Sequence, residues 1–158
     1  MIIIYMDCPS EERKLPSEVC FVDTVCCVAL LNKTERIHQE VNSEYKRLLK
    51  NGYHLITTTA VLSETANSLC APRFRAVVSR FYRRVQASQY IEVVFVDERL
   101  WEAGWQLYEQ RNDKEWSLTD CISFVVMQER NISEALTTDR HFEQAGFIRL
   151  LHIPEFAS

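Results

Sequence analysis

A short apolar run that ends on an acid constrains the fold of this chain more than any other stretch. The run Val19-Cys-Phe-Val22 has the length and composition of a buried strand, Asp23 follows it, and the apolar segment 24–33 continues as a helix. A strand that passes straight into a helix is typical of α/β proteins. In parallel sheets ligands bind beyond the carboxyl ends of the strands, so Asp23 is the first candidate functional residue.

The alternation of strand and helix continues along the chain. Further strands are predicted at about 53–57, 90–96, 135–138 and 147–151, and apolar residues at helical spacing lie between them. Parallel strands need helical crossovers, so this alternation predicts a parallel sheet with helices on both faces. Right-handed crossovers then bring the carboxyl ends of all strands to one edge.

The composition narrows the classes of function. A net charge of −4 gives no general basic field for nucleic acid, and no apolar run is long enough to span a membrane. The six cysteines lack zinc-ligand spacing, so we expect buried, reduced thiols in a cytoplasmic protein. Residues 1–18 are predicted to be a polar leader that lies outside the core and need not be ordered, and residues 19–158 a single domain.

Four acids are predicted to meet at the carboxyl edge of the sheet: Asp23, Glu64, Asp120 and Asp139. Each one has a simpler explanation when taken alone. Asp23 and Asp139 fit helix N-caps, Ser117-x-x-Asp120 fits a capping box, and Glu64 fits a solvated helix position.

Taken together, the four acids favour a metal site. Glu64 and Asp120 are both flanked by apolar residues, and buried carboxylates need partners. Carboxylates select Mg²⁺ or Mn²⁺, and two such ions can orient water and stabilise an in-line displacement at phosphorus. Asp97 serves as an internal control, because it also follows a strand but is predicted only to cap a helix, on an edge strand away from the cluster.

Four motifs carry a resemblance to the PIN-domain ribonucleases, and among these to the VapC-type toxins of bacterial toxin–antitoxin pairs. The resemblance covers about residues 19–153, and its last two motifs are the most specific. The motifs are Phe21-Val-Asp-Thr24, Thr58-Ala-Val-Leu-Ser-Glu-Thr-Ala-Asn67, Ser117-Leu-Thr-Asp-Cys-Ile-Ser-Phe124 and Leu136-Thr-Thr-Asp-Arg-His-Phe-Glu-Gln-Ala-Gly-Phe147. The leader before the first strand is a departure from such toxins, but it leaves the four acids intact.

The resemblance implies an α/β/α fold with a five-stranded parallel sheet in the order 3-2-1-4-5. It also implies cleavage of single-stranded RNA with Mg²⁺ or Mn²⁺, an antitoxin partner and a homodimer. The four acids carry over as the catalytic metal ligands. The positions that support the pocket in this family match Thr24, Asn67 and Thr137. His141, which follows the fourth acid, is interpreted as orienting the turn.

One predicted helix is strongly basic although the chain as a whole carries a net negative charge. The segment Pro72–Arg84 contains five arginines and no acid, and it is predicted either to be a solvated face or to contact RNA phosphates or an acidic partner segment. These arginines are Arg73, Arg75, Arg80, Arg83 and Arg84.

Two other functions stay open from the residues. A phosphohydrolase with a phosphoaspartate usually carries a second acid two residues after the first, where this chain has Val25. A PIN-fold module that binds or processes RNA without being a toxin, or that binds it without turnover, is the other alternative.

Overall fold

Five parallel strands form one sheet at the centre of the molecule. In the computed structural model, which describes residues 18–152, the strand order is β3-β2-β1-β4-β5. The strands are β1 (Val19–Val22), β2 (His54–Thr58), β3 (Ile91–Val94), β4 (Glu134–Leu136) and β5 (Ile148–Arg149). The predicted fold class and strand order are therefore confirmed.

Seven helices in the described part of the chain connect and cover the strands. They are α1 (Thr24–Leu31), α2 (His38–Lys50), α3 (Thr59–Ser68), α4 (Pro72–Ala87), α5 (Glu98–Gln110), α6 (Leu118–Glu129) and α7 (Arg140–Gln144). Successive residues of a strand point to opposite faces, and Cys20 and Phe21 are both fully buried, so both faces of the sheet are covered. Each helix within residues 18–152 is too short or too polar to form a membrane span.

The central strand β1 holds the register of the sheet. Phe21 pairs with Ile56 of β2 on one side and with Ala135 of β4 on the other. All three residues are buried apolar side chains, as expected where a parallel strand is covered on both faces. The end of β1 therefore lies between the ends of β2 and β4, and Asp23 emerges there.

A close helix pair supports the same edge. Gly104 of α5 is buried against Ile122 of α6, and an added Cβ at Gly104 would overlap the Ile122 side chain. Arg99 in the first turn of α5 pairs with Glu129 in the last turn of α6, so the two helices run antiparallel. The packing fixes α6, whose first turn carries Asp120.

Two strands end earlier than predicted because local hydrogen bonds turn the chain away. β3 stops at Val94, and the Val96 amide donates to the Thr59 hydroxyl rather than to a strand neighbour. β4 stops at Leu136, since the Thr137 hydroxyl accepts from the Asp139 amide and closes a turn. The last strand is also shorter, with two paired residues. The predicted leader lies outside the described residues, apart from Glu18.

Candidate metal centre

Asp23 occupies the N-cap position of α1 but does not cap the helix through its side chain. Its side chain turns inward instead, and the residue is only 5% exposed. The Thr137 hydroxyl donates to Asp23 Oδ2 at 2.8 Å. The structure therefore joins two residues that are far apart in the sequence across the neighbouring ends of β1 and β4.

Burial raises the pKa of Asp23 to about 7, because a charged carboxylate loses hydration there. Hydrogen bonds from the Thr137 hydroxyl and the Thr24 backbone oppose this rise, while the negative charges of Asp120 and Asp139 add to it. An ionised Asp23 in this place is thus unfavourable without a nearby positive charge. A bound cation would supply that charge.

Asp120 has two roles in its helix turn. Its Oδ2 accepts from the Ser117 amide at 2.8 Å while its own amide donates to the Ser117 hydroxyl, so the predicted capping box is present. Asp120 is also buried, and burial raises its pKa, with the charge of Asp139 acting in the same direction. The cap orients this carboxylate toward the other acids.

Asp139 is held by the turn that follows β4. Its Oδ1 accepts from the His141 amide at 2.8 Å, which caps α7, and its own amide donates to Thr137 Oγ1 at 2.9 Å. The Thr137 hydroxyl thus donates to Asp23 and accepts from the Asp139 amide. One buried side chain ties the first and fourth motifs together.

The ring of His141 lies between two of the acids. His141 Nδ1 is 3.3 Å from Asp120 Oδ2 and 3.4 Å from Asp139 Oδ2. Among the residues that the structure describes, these three form a group whose potential metal-ligating atoms all lie within 4.8 Å of one another. From the sequence, His141 is predicted only to orient the turn, so its contact with Asp120 is a finding of the structure.

Glu64 is linked to the end of β1 through Thr24, the residue that follows Asp23. The Thr24 hydroxyl donates to Glu64 Oε2 at 3.3 Å, and Glu64 is half-buried on α3. Glu64 and Asp23 do not belong to the compact group of Asp120, Asp139 and His141. Asn67 lies one turn further along α3 and is exposed.

The remaining predicted residues are not brought into this cluster by any described hydrogen bond or ion pair. The side chain of Asp97 accepts from the Leu100 amide at 2.8 Å, which confirms it as a helix cap. All five arginines of α4 are exposed, while Phe81 and Val85 of the same helix are buried. The arginine face is therefore a solvent-facing surface.

Arg149 was not identified from the sequence. Its Nη1 donates to the carbonyl of Thr138 at 2.7 Å, and its side chain is only 14% exposed. Thr138 lies between Thr137 and Asp139, so Arg149 braces the turn that carries both. In the sequence, the one sign of this role is that Arg149 is a basic residue within the otherwise apolar segment 147–151.

The donor set fits a hard divalent cation. Several carboxylates, two of them with raised pKa values, converge at the carboxyl edge with hydroxyl groups beside them. Carboxylate oxygens suit Mg²⁺ and Mn²⁺, and a neighbouring imidazole also suits transition metals. The arrangement can therefore hold such an ion at the carboxyl edge of the sheet.

The fold and this site define an α/β domain with an acidic candidate metal centre at the carboxyl edge of its parallel sheet, and the family model for the PIN domain matches residues 20–148. The chain belongs to the PIN domain family.

Its similarity to VapC-type proteins is confirmed. The chain is 29% identical over 134 residues to the 23S rRNA-specific endonuclease VapC20 of Mycobacterium tuberculosis, covering 82% of this chain and 96% of that protein. The crystal structure of the M. tuberculosis VapC20, described as a sarcin–ricin loop cleaving toxin, superposes with a TM-score of 0.69 at 28% identity, covering 84% of this chain and 98% of that one. VapBC2 from Rickettsia felis, bound to a DNA fragment from its promoter, shares the fold with a TM-score of 0.61 at 13% identity, over 83% and 96% of the two chains.

Proposed function

We propose that this protein is a divalent-metal-dependent endoribonuclease that cleaves single-stranded RNA and acts as the toxin of a toxin–antitoxin pair. The observation that carries the proposal is the meeting of Asp23, Asp120 and Asp139 at one sheet edge, joined through Thr137 and His141. Membership of the PIN domain family supports this interpretation of the acids. VapC20 is named as an endonuclease of ribosomal RNA, which supports RNA as the substrate.

The residues of the site would have different roles in this reaction. Asp23, Asp120 and Asp139 would hold Mg²⁺ or Mn²⁺, and Glu64 would close the site from α3. A divalent ion supplies a Lewis acid beside a phosphodiester and a nucleophilic water at neutral pH. Thr137 keeps the Asp23 carboxylate and the Asp139 backbone in place.

Thr24 and Asn67 would complete the pocket. The Thr24 hydroxyl holds Glu64 Oε2 and thereby orients it from the first turn of α1. Asn67 is exposed on the same helix as Glu64, where its amide can meet RNA rather than metal.

The arginine face of α4 supports contact with a polyanion. Arg73, Arg75, Arg80, Arg83 and Arg84 are exposed on a chain whose net charge is −4. Guanidinium groups bind phosphates through two parallel hydrogen bonds, and they equally suit the carboxylates of an acidic antitoxin segment.

Charge reversal at Arg80, Arg83 and Arg84 should weaken binding of RNA or antitoxin at low salt, with the melting temperature nearly unchanged. Unchanged affinity for both would make this helix a plain solvated face.

An exposed aromatic row supports the expected homodimer. Trp101, Trp105 and Tyr108 of α5 are 45%, 37% and 45% exposed, with neighbouring rings 6.1 and 5.5 Å apart. Such exposed aromatic patches are typical of protein interfaces.

The double variant Trp101→Glu/Trp105→Glu should be monomeric in light scattering, whereas the control variant Tyr82→Glu on α4 should remain dimeric. A double variant that stays dimeric would place the interface elsewhere.

The proposed activity is tested with RNA and a small phosphate ester in one mixture. We expect cleavage of single-stranded RNA with Mg²⁺ or Mn²⁺, no cleavage with chelator, and no hydrolysis of the ester. Hydrolysis of the ester alone would favour the phosphohydrolase alternative. Metal-independent binding of RNA without cleavage would favour a binding module.

A further inference from the structure

His141 is held by the same turn as Asp139. Its amide donates to Asp139 Oδ1 at 2.8 Å, which leaves Asp139 Oδ2 directed toward the ring. Asp120 Oδ2 is fixed by the Ser117 amide at 2.8 Å. Backbone hydrogen bonds therefore orient both carboxylates before any ligand arrives, as outer partners do for metal ligands.

The contacts of the His141 ring differ from those of an ordinary ion pair. Nδ1 lies at nearly equal distances, 3.3 and 3.4 Å, from oxygens of two different carboxylates. A single N–H can point well at only one of them, and a charge-assisted bond of this kind is about 2.7–2.9 Å long. Three donor atoms that converge without a short bond between them match the ligand shell of an ion better than a hydrogen bond.

We propose that His141 Nδ1 is a metal ligand together with Asp120 and Asp139, and that this mixed nitrogen and oxygen site binds Mn²⁺ in preference to Mg²⁺. The inference rests on the proposed function and adds the identity of one ligand and the metal it selects. Both ions favour carboxylate oxygens, but Mg²⁺ demands near-ideal octahedral oxygen coordination and gives up its waters reluctantly, whereas Mn²⁺ is a first-row transition-metal ion that tolerates one imidazole among its oxygen ligands. Ligation through Nδ1 places the ring proton on Nε2.

The test measures metal binding rather than activity. Mn²⁺ and Mg²⁺ affinities are measured by calorimetry on the chelator-treated full chain for wild type, His141→Ala and His141→Asn. The control is His54→Ala, because His54 pairs with Glu92 on β3, outside the acidic site. Circular dichroism melts check that each variant is folded.

Loss of the imidazole should weaken Mn²⁺ binding by at least about tenfold and Mg²⁺ binding by less than about threefold. His141→Asn replaces the nitrogen donor by an amide oxygen, so it should bind Mg²⁺ at least as well as wild type and abolish the preference for Mn²⁺. His54→Ala should match wild type. Equal effects on both ions, or none, would overturn the assignment.

A spectroscopic signature covers the case in which the variants fail to fold. Pulsed electron paramagnetic resonance of Mn²⁺ bound to wild type should show coupling to a directly bound nitrogen. Absence of that coupling would overturn the proposal while leaving a metal-dependent nuclease intact. Failure of wild type to bind either ion would instead overturn the proposed function together with this inference.

Discussion

Two junctions in this molecule look alike in sequence and differ in structure. At the end of β1, Asp23 occupies the N-cap position of α1, and at the end of β3, Asp97 occupies the N-cap position of α5. Asp97 is exposed, and its side chain caps its helix by accepting from the Leu100 amide. Asp23 is buried, makes no side-chain cap, and is bound by the Thr137 hydroxyl.

The position of each strand in the sheet explains the difference. β1 has β2 on one side and β4 on the other, so the turn after β4 closes over Asp23. β3 is an edge strand, and Asp97 therefore stays open to water. The same local pattern gives a helix cap at the edge of the sheet. At its centre the pattern gives a buried carboxylate whose pKa is raised by burial and by neighbouring acids.

The largest expected effect is on RNA cleavage. Asp23→Asn and Asp139→Asn should each lower cleavage by at least about a hundredfold, because each removes a charged ligand from the site. Asp97→Asn should change it little, since Asn is an equally good N-cap. The measurement is the initial rate on single-stranded RNA with saturating metal. Equal rates in all three variants would remove the distinction between the two junctions.

The pH dependence of stability should also separate the junctions. The pKa of Asp23 is raised from 3.8 to about 7, so between these values the folded protein keeps a proton that the unfolded chain has lost. The free energy of unfolding therefore falls as pH rises through this window, by on the order of 4 kcal/mol for the metal-free protein.

Asp23→Asn removes this pH-dependent loss. In chelator the variant should be more stable than wild type at pH 8, and the difference should shrink toward pH 5. The measurement is denaturant unfolding at both values, with Asp97→Asn as the control. A difference between Asp23→Asn and wild type that does not change with pH would contradict the raised pKa.

The sequence predicted more of the fold than of the contacts within the site. The capping box at Asp120 followed from a pattern of four residues, the parallel sheet from the alternation of strands and helices, and the strand order from the resemblance to the PIN-domain family. The burial of Asp23 could not be predicted from its neighbours in the chain, because it depends on Thr137, which approaches only when β4 lies beside β1. The ring of His141 meets Asp120 for the same reason, and Arg149 reaches Thr138 from β5.

A smaller effect is expected from the hydroxyl that links the two motifs. Thr137→Val removes the bond to Asp23 Oδ2 and the acceptor for the Asp139 amide, and it should lower cleavage by about tenfold. Thr57→Val is the matched control, since its buried hydroxyl donates only to the Val22 carbonyl. Both variants should lose about 1 kcal/mol of stability. A similar loss of activity in both would show that Thr137 acts through packing alone.

The smallest effect concerns the acid that both caps and faces the site. Asn can still accept from the Ser117 amide, so Asp120→Asn keeps the cap and removes a charge. Two carboxylates about 5 Å apart repel by roughly 3 kcal/mol at an effective dielectric near 20, and solvent and proton uptake reduce this. We expect a gain of about 1 kcal/mol in chelator that shrinks or reverses with Mg²⁺ or Mn²⁺. A melting difference that ignores metal would make Asp120 a cap only.

Asp23, at the end of the central strand, is proposed to belong to a cation site, and Asp97, at the end of the edge strand, is not. The most direct test is to measure Mn²⁺ binding to wild type, Asp23→Asn and Asp97→Asn. Calorimetry at neutral pH on chelator-treated protein gives the three dissociation constants. We predict the same value for wild type and Asp97→Asn, and a value at least about tenfold weaker for Asp23→Asn. Equal affinity in all three proteins would contradict the account.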